Sequence, residues 1–240
     1  MKFVSPLIPG TLIKRYKRFF ADVKLDTGDI VTAHCPNTGS MKSCAEPGWK
    51  AWLSKHNNPK RKLAYTWELV ENHLGHLIGI NTHNANKLVA EAIQQNRIPE
   101  LTGYDKIKPE VKYGNENSRI DFLLTQSNQP DCYVEVKSVT LLEQDWGCFP
   151  DAVTTRGQKH LRELAILAEK GQRAVLLFLV QHSGIHQMTV ARHIDPAYAA
   201  ELQNAIDAGV EILAYGCELL GDEYKVSYQC PFNLHKKVDF

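Results

Sequence analysis

A continuous apolar segment in the second half of the chain places the strongest constraint on the fold. Residues 174–180 run Ala-Val-Leu-Leu-Phe-Leu-Val. Neither of the two alternating sets of side chains in this segment contains a polar residue. A strand that faces water on one side alternates apolar and polar residues, whereas a strand covered on both faces is apolar throughout. The segment therefore predicts a central strand in a sheet that is flanked by helices.

The elements around this strand predict their order along the chain. Two strand-like stretches, 119–124 and 133–138, flank a turn-rich connector and predict a hairpin. A helix that Thr154 and Thr155 can cap follows the hairpin and stops near Gly171. Further predictions are a helix over 84–97, a short strand at 111–113, a helix from Pro196 to Gly209 and a strand after it.

The hairpin gathers charged groups on one face. If it folds symmetrically about Asn128, Asp121 lies opposite Glu135, and Lys137 shares the face of Glu135. Opposed side chains on one sheet face have Cβ atoms about 4.5–5.5 Å apart, so two carboxylates placed there repel each other. We therefore expect a cation between Asp121 and Glu135.

A hard divalent cation, Mg²⁺ or Mn²⁺, suits this arrangement, because such ions bind one or two carboxylates together with waters and phosphate oxygens. An ammonium such as Lys137 can orient a metal-bound water or stabilise negative charge on a phosphoryl oxygen. Phosphodiester hydrolysis is the reaction this favours. The alternative is that Glu135 and Lys137 form a solvent-facing ion pair, worth about 0–1 kcal/mol.

The sequence of the first third of the chain predicts a separate β-structure. Residues 19–25 alternate in polarity, Asp26–Asp29 turn the chain, and Ile30–His34 return it. Cations interleaved with rings precede this β-unit, and a second basic run follows it. Such residues neutralise phosphates and stack bases, as on an OB-type barrel, or merely solvate strand ends. The predicted DNA-binding residues are Lys14, Arg15, Lys17, Arg18, Lys60, Arg61 and Lys62.

Several longer motifs together resemble one protein family. They are Ala33–Met41, Ser118–Phe122, Glu135–Leu141 and Phe149–Gly157. With Arg18-Phe19 and Glu46-Pro47-Gly48, they resemble the sugar fermentation stimulation protein A (SfsA) family along the whole chain. The resemblance implies a bacterial DNA-binding protein that stimulates sugar, notably maltose, metabolism. It also implies an OB-like amino-terminal barrel and a nuclease-like carboxyl-terminal domain.

The element order resembles a second, broader group, the PD-(D/E)xK nuclease superfamily. That resemblance implies metal binding by Asp121 and Glu135, with Lys137 completing the catalytic site. It also implies a metal ligand from the preceding helix, for which Glu91 is the candidate, and a glutamine from the following one, Gln158. Ile120 departs from the name-giving motif, which has proline there. Arg119 and Arg156 are further candidates for the cleft.

Composition limits these interpretations. The chain has 240 residues, with 28 Lys and Arg against 27 Asp and Glu, so nucleic-acid affinity must come from local patches. Six cysteines lack zinc or thioredoxin-like spacing. No signal-like or membrane-spanning run is evident, which predicts a cytoplasmic protein without a membrane partner.

The sequence predicts an α/β (α+β) protein with an OB-like nucleic-acid-binding domain over 1–80. A restriction-endonuclease-like mixed sheet flanked by helices is predicted over 81–240. Two functions remain open. One is a DNA-binding protein without sequence preference that carries a Mg²⁺- or Mn²⁺-dependent nuclease site. The other is a non-catalytic DNA-binding regulator of sugar-metabolism genes that keeps the nuclease fold as a scaffold.

Overall fold

A computed structural model describes residues 1–3, 5–114, 118–220 and 223–238. The amino-terminal third is a β-barrel. Its sheet contains β1 (Ile8–Tyr16), β2 (Phe20–Leu25), β3 (Ile30–His34), β4 (Lys50–Lys55), β5 (Tyr65–Glu71) and β6 (Leu77–Gly79). The strand order is β3-β2-β1-β4-β5-β6, and a parallel pairing of β3 with β5 closes five strands into the predicted OB-like barrel.

The remainder of the chain, which we call the mixed-sheet region, combines helices with mixed sheets and begins at Asn84. It contains α1 (Asn84–Gln94), a 3-10 turn at Pro99–Leu101, β7 (Lys106–Tyr113), β8 (Ser118–Thr125), β9 (Cys132–Val139), β10 (Leu141–Glu143), β11 (Trp146–Phe149), α2 (Thr155–Glu169), β12 (Arg173–Val180), β13 (Met188–Val190), α3 (Pro196–Asp207), β14 (Glu211–Leu220) and β15 (Glu223–Gln229). The main sheet has the order β15-β14-β12-β9-β8-β7, and β10, β11 and β13 form a small second sheet.

The apolar strand β12 occupies the centre of the main sheet, as its composition predicts. Its alternate residues enter two separate cores, with Leu177 in the core shared with α1 and Phe178 in the core shared with α2 and α3. Both side chains are fully buried. β12 is parallel to both neighbours, β9 and β14, which is the usual environment of a strand buried on two faces.

The β8–β9 hairpin has the predicted register. Phe122 pairs with Val134, and Leu123 pairs with Tyr133. Extending this register by one residue places Asp121 opposite Glu135. The backbone pairing of the two strands stops at Phe122 on this side, so the strands begin to separate where the charged residues start.

The helix termini follow the sequence signals in most places. Thr154 is the N-cap of α2 and accepts a hydrogen bond from the Gly157 amide at 3.0 Å. Gly171, with φ of +79°, follows the end of α2 as predicted. The helix predicted over 84–97 ends earlier, at Gln94, because Asn96 adopts a left-handed conformation with φ of +56°.

The last strand of the barrel ends at Gly79, and α1 begins at Asn84. The domain boundary predicted after residue 80 lies between them. The amino terminus crosses that boundary, since Lys2 bridges to Glu223 and the Phe3 ring stacks on Tyr224 at 6.3 Å. All six cysteines are buried free thiols. Within the described ranges, no helix has the length and apolar character that crossing a membrane requires.

Candidate metal and catalytic site

Asp121 lies at the point where β8 and β9 separate, and its carboxylate is held on both oxygens. Oδ1 accepts a hydrogen bond from Asn86 Nδ2 of α1 at 2.7 Å. Oδ2 accepts one from the Val136 backbone amide of β9 at 2.7 Å. The carboxylate thus joins β8, β9 and α1, and its orientation is fixed by two neutral donors.

Glu135 lies on β9, beside Asp121, and is buried, with 2% of its surface exposed. Asp121, Glu135, Lys137 and His160 form the charged cluster of this site. Its Oε1 accepts a hydrogen bond from Lys137 Nζ at 2.7 Å and is also in short contact with His160 Nδ1 of α2. Burial by itself would raise the pKa of Glu135, but the His160 hydrogen bond and the Lys137 charge outweigh it and lower that pKa. Glu135 is therefore ionised at neutral pH.

His160 bridges Arg156 and Glu135. Arg156 Nε donates to His160 Nε2 at 3.4 Å. With the lone pair of the ring on Nε2, the proton on Nδ1 is donated to Glu135. His160 therefore positions Glu135 from the side of α2, while Lys137 positions it from the strand. Lys137 Nζ also lies 3.2 Å from His160 Nδ1.

The two carboxylates interact unfavourably with each other. Burial first, and then the negative charge of Glu135, raise the pKa of Asp121 above its ordinary value. Glu135 Oε2 is buried and has no hydrogen-bond partner. A divalent cation would satisfy Oε2 and remove the repulsion, so the donor set of Asp121 and Glu135 fits a hard cation that keeps several waters.

Asp121 and Glu135 are the candidate ligands for such a cation. Across the described parts of the chain, no group of three or more His, Cys, Asp and Glu side chains is arranged to hold a metal ion. Tyr113 adds a buried hydroxyl without a hydrogen-bond partner near the same carboxylates. Burial, followed by Glu135, raises the pKa of Tyr113, so its hydroxyl is protonated and can donate.

The structure does not bring Glu91 to this cluster. Its carboxylate pairs with the Met1 ammonium at 2.7 Å, and that ammonium also donates to the Tyr224 carbonyl on β15. β15 lies four strands from β8 in the main sheet. Glu91 is therefore engaged beside β15, away from the junction of β8 and β9 that holds Asp121.

Gln158 and Arg119 also lie apart from the carboxylates. Gln158 Nε2 donates to both oxygens of Asp195, at 3.0 and 3.1 Å, and so ties α2 to the start of α3. Arg119 is exposed on β8, opposite Lys112. Of the three cleft candidates, Arg156 contacts the cluster, through His160.

The predicted DNA-binding residues lie at one end of the barrel. Tyr16, Phe20, His34, Lys55 and Tyr65 mark this end, because the pairings of β1, β2, β3, β4 and β5 place their neighbouring termini together. The exposed side chains there, which we call the barrel-end cations, are Lys14, Lys17, Arg18, Lys60 and Lys62. Phe19 lies among them and is 46% exposed.

Arg15 and Arg61 differ from these five cations. Arg15 Nη2 donates to the carbonyls of Asn37 and Gly39, each at 3.0 Å, and thereby shapes the loop after β3. In that loop Ser40 donates to the Asp151 carboxylate at 2.7 Å. This hydrogen bond joins the barrel to the mixed-sheet region. Arg61 donates to Thr66 at 2.8 Å. Arg15 therefore has a structural role in the barrel.

Sequence reasoning missed Asn86, Tyr113 and His160. One available signal was the spacing of Arg156, His160 and Leu164, which lie four residues apart on one side of α2. Leu164 is buried against the sheet, so this spacing directs His160 toward β9. Asn86 gave no comparable signal, because its contact depends on where α1 crosses β8.

Comparisons with known proteins give one consistent result. The family model for the sugar fermentation stimulation protein RE domain matches residues 83–223, and the model for the SfsA N-terminal OB domain matches residues 13–80. A sugar fermentation stimulation protein homolog of Pseudoalteromonas atlantica is 61% identical over 96% of this chain and 99% of its own.

A homolog of the same name from Shewanella loihica is 59% identical over 98% of this chain and 100% of its own. Among solved structures, Pyrococcus furiosus SfsA in complex with Ca²⁺ has a TM-score of 0.87 and 31% sequence identity. It covers 98% of both chains. The similarity therefore extends over the barrel and the mixed sheet together.

Proposed function

The chain belongs to the sugar fermentation stimulation protein A (SfsA) family, and from this premise we propose that it binds DNA and hydrolyses its phosphodiester bonds. The observation that carries the proposal is the pair of carboxylates at Asp121 and Glu135. They are buried close enough for Glu135 to raise the pKa of Asp121, and Glu135 Oε2 lacks a partner. Such a pair favours a divalent cation, Mg²⁺ or Mn²⁺.

Each side chain of the cluster has a role in this proposal. Asp121 and Glu135 would hold the cation, which when bound would supply Lewis acidity and lower the pKa of an attacking water. Asn86 and the Val136 amide fix the Asp121 carboxylate, and His160 keeps Glu135 ionised. The Lys137 ammonium would orient the attacking water or stabilise charge on the phosphoryl group. The Ca²⁺ complex of the Pyrococcus furiosus relative supports a divalent-cation site in this family.

The barrel-end cations would supply most of the affinity for DNA. Lys14, Lys17, Arg18, Lys60 and Lys62 are exposed, so they can neutralise phosphates and release counterions. The exposed Phe19 ring offers a base a stacking surface that does not depend on sequence. Binding without sequence preference follows from these contacts.

The test measures binding and cleavage in the same samples. Purified protein is incubated with labelled single- and double-stranded DNA in Mg²⁺, Mn²⁺ or EDTA, alongside Glu135→Gln. We expect cleavage with either metal, none in EDTA, and a loss of at least about 100-fold in the variant, with binding retained. Glu218→Gln is the matched control, because Glu218 lies on β14 and contacts Ser227. Full cleavage by Glu135→Gln would overturn the assignment.

A non-catalytic DNA-binding protein is the second candidate. Two observations favour it. The described residues supply no third His, Cys, Asp or Glu ligand beside Asp121 and Glu135, and Lys137 is already hydrogen-bonded to Glu135. In this case the nuclease-like sheet is a scaffold, and the barrel-end cations act in regulating sugar-metabolism genes. DNA binding that persists in EDTA, without cleavage under either metal, is the result that distinguishes it.

A further inference from the structure

A cavity lined by both polar and apolar groups lies between the end of the barrel and the start of α1. Its volume is about 570 Å³, within the range of small-molecule sites. Asp121, Glu135, Lys137 and His160 do not line it. We call it the barrel cavity, and define it by Arg61, His34 and His56 of the barrel, Lys87 and His83 at the start of α1, and Phe3 of the amino terminus.

The carboxylates in the wall of the barrel cavity already have donors. Glu68 is buried and accepts hydrogen bonds from Ser54 at 2.6 Å, Asn81 at 2.8 Å and Asn84 at 3.0 Å. The other acidic residue, Glu91, is paired with the Met1 ammonium at 2.7 Å. Both carboxylates of the wall therefore already have hydrogen-bond or ion-pair partners within the protein.

The cationic side chains of the wall are placed differently. Arg61 and Lys87 are both exposed and both line the cavity. Arg61 Nη2 donates a hydrogen bond to Thr66. A guanidinium carries five N–H donors, so most of its donors stay available to a ligand. An arginine fork of this kind matches the oxygens of a phosphate group.

Two imidazoles lie beside Arg61 in the wall of the cavity. Burial first, and then the Arg61 charge, lower the pKa of both His34 and His56, while Glu68 acts in the opposite direction on His56. His56 Nε2 lies 3.2 Å from Ser54 Oγ and 3.1 Å from Thr66 Oγ1, so the ring is held in place. Arg61 is therefore the cation beside which an anion in the cavity would lie.

The start of α1 adds to this potential. His83 is the N-cap residue and makes no side-chain capping bond, and α1 continues for 11 residues. The positive end of a helix dipole therefore faces the same region as Arg61 and Lys87. Phe3 and Pro36 supply apolar wall, which suits a sugar or base attached to the anion.

We propose that the barrel cavity binds a phosphate monoester, carried either by a free mononucleotide or by the phosphorylated end of a nucleic-acid strand. Arg61 and Lys87 contact the phosphate, and Phe3 and Pro36 contact the attached nucleoside. A phosphate monoester carries about −1.5 to −2 charges and three acceptor oxygens at neutral pH, which matches the charges of Arg61 and Lys87. Binding here requires no hydrolysis at Asp121 and Glu135, so it is independent of the function proposed above.

The experiment compares ligands with and without a phosphate, using the full chain in EDTA so that cleavage does not contribute. Calorimetry measures the binding of adenosine 5′-monophosphate and of adenosine. Fluorescence anisotropy measures the binding of one oligonucleotide with a 5′-phosphate, a 3′-phosphate or hydroxyl ends. The variants are Arg61→Gln and Lys87→Gln. Lys24→Gln is the matched control, since Lys24 is an exposed lysine of the barrel that does not line the cavity.

Each source of the phosphate has its own result. A free nucleotide site binds the monophosphate at least about tenfold more tightly than adenosine. A strand-end site binds one phosphorylated oligonucleotide about tenfold more tightly than the hydroxyl form. In both cases Arg61→Gln and Lys87→Gln remove most of the preference, while Lys24→Gln preserves it.

Two results would overturn the proposal. The first is equal affinity for phosphorylated and unphosphorylated forms of both kinds of ligand. The second is a phosphate preference that survives in Arg61→Gln and in Lys87→Gln, which would place the anion elsewhere on the protein. Both variants retain the buried Glu68 network, so thermal unfolding of each serves as the check that the barrel remains intact.

Discussion

The charges of the sheet site and those of the barrel end differ in what surrounds them. Glu135 is 2% exposed and has hydrogen-bond partners on two elements, whereas Lys17 and Arg18 project into water from a turn. Buried charges act strongly on their neighbours and tolerate few arrangements. Exposed charges are screened and act additively on a polyanion. The first set therefore suits chemistry, and the second suits affinity.

The largest expected effect comes from removing one charge of the sheet site. We predict that Lys137→Gln lowers the cleavage rate by about 100- to 1,000-fold, the usual cost of losing one group that stabilises a transition state. Affinity for DNA should change little, because Lys137 is largely buried beside Glu135. Single-turnover cleavage and binding isotherms in EDTA measure the two quantities separately.

Lys108→Gln is the control for this variant, since Lys108 is exposed on β7 of the same sheet. It should cleave like the unmodified protein. If Lys137→Gln instead weakened binding and left the cleavage rate of bound DNA unchanged, Lys137 would belong with the barrel-end cations, and the contrast between the two regions would fail.

The barrel end should show the opposite behaviour. We predict that replacing Lys14, Lys17 and Arg18 together by glutamine weakens DNA binding by about 100-fold at 0.15 M salt and makes the slope of log K against log salt about 2.7 units less steep. The cleavage rate of bound DNA should not change. Binding titrations at several salt concentrations provide both numbers.

Lys24→Gln tests whether position matters in the barrel. Lys24 is exposed on β2, near the end of the barrel away from the β1–β2 turn. It should leave the salt dependence unchanged. If Lys24→Gln weakened DNA binding as much as each charge removed from Lys14, Lys17 and Arg18, the barrel would contribute only its overall charge to binding.

Local patterns predicted the framework of both regions. The apolar run of β12, the Thr154 cap and the symmetric β8–β9 hairpin depend on neighbours in sequence, so the pattern determines them. The register that places Asp121 opposite Glu135 belongs to this group. The exposed ends of β1 and β2 were also predictable, because cations interleaved with rings rarely enter a core.

Contacts between distant elements were not predictable in the same way. Glu91 lies five residues after Asn86, which turns it about 140° around α1 and directs it to the Met1 ammonium. Gln158 is held by Asp195 from a later helix. Arg15 is held by the loop after β3. Each outcome depends on a partner that sequence spacing does not reveal.

A smaller effect is expected from the histidine that positions Glu135. We predict that His160→Gln lowers cleavage about tenfold at pH 7. The His160 bond lowers the pKa of Glu135, so its loss raises that pKa, and the acidic limb of the pH–rate profile should move to higher pH. A profile that keeps its shape while the rate falls would indicate only a packing defect. The barrel-end variants should keep the original profile.

The smallest effect distinguishes the regions without any catalysis. A cation present at ten times its dissociation constant stabilises the folded state by about 1.4 kcal/mol, or about 3–6 °C in melting temperature for a chain of this size. We predict this increase for the unmodified protein on replacing EDTA with Ca²⁺ at pH 7.5, and none for Glu135→Gln. Burial and Glu135 raise the pKa of Asp121, so Asp121 takes up a proton at a higher pH than an ordinary aspartate. The Ca²⁺ increment should accordingly shrink as pH falls toward that raised pKa, and it should do so equally in the Lys14, Lys17 and Arg18 variant. An increment lost in the barrel variant but kept in Glu135→Gln would locate the cation at the barrel and reverse the roles of the two regions.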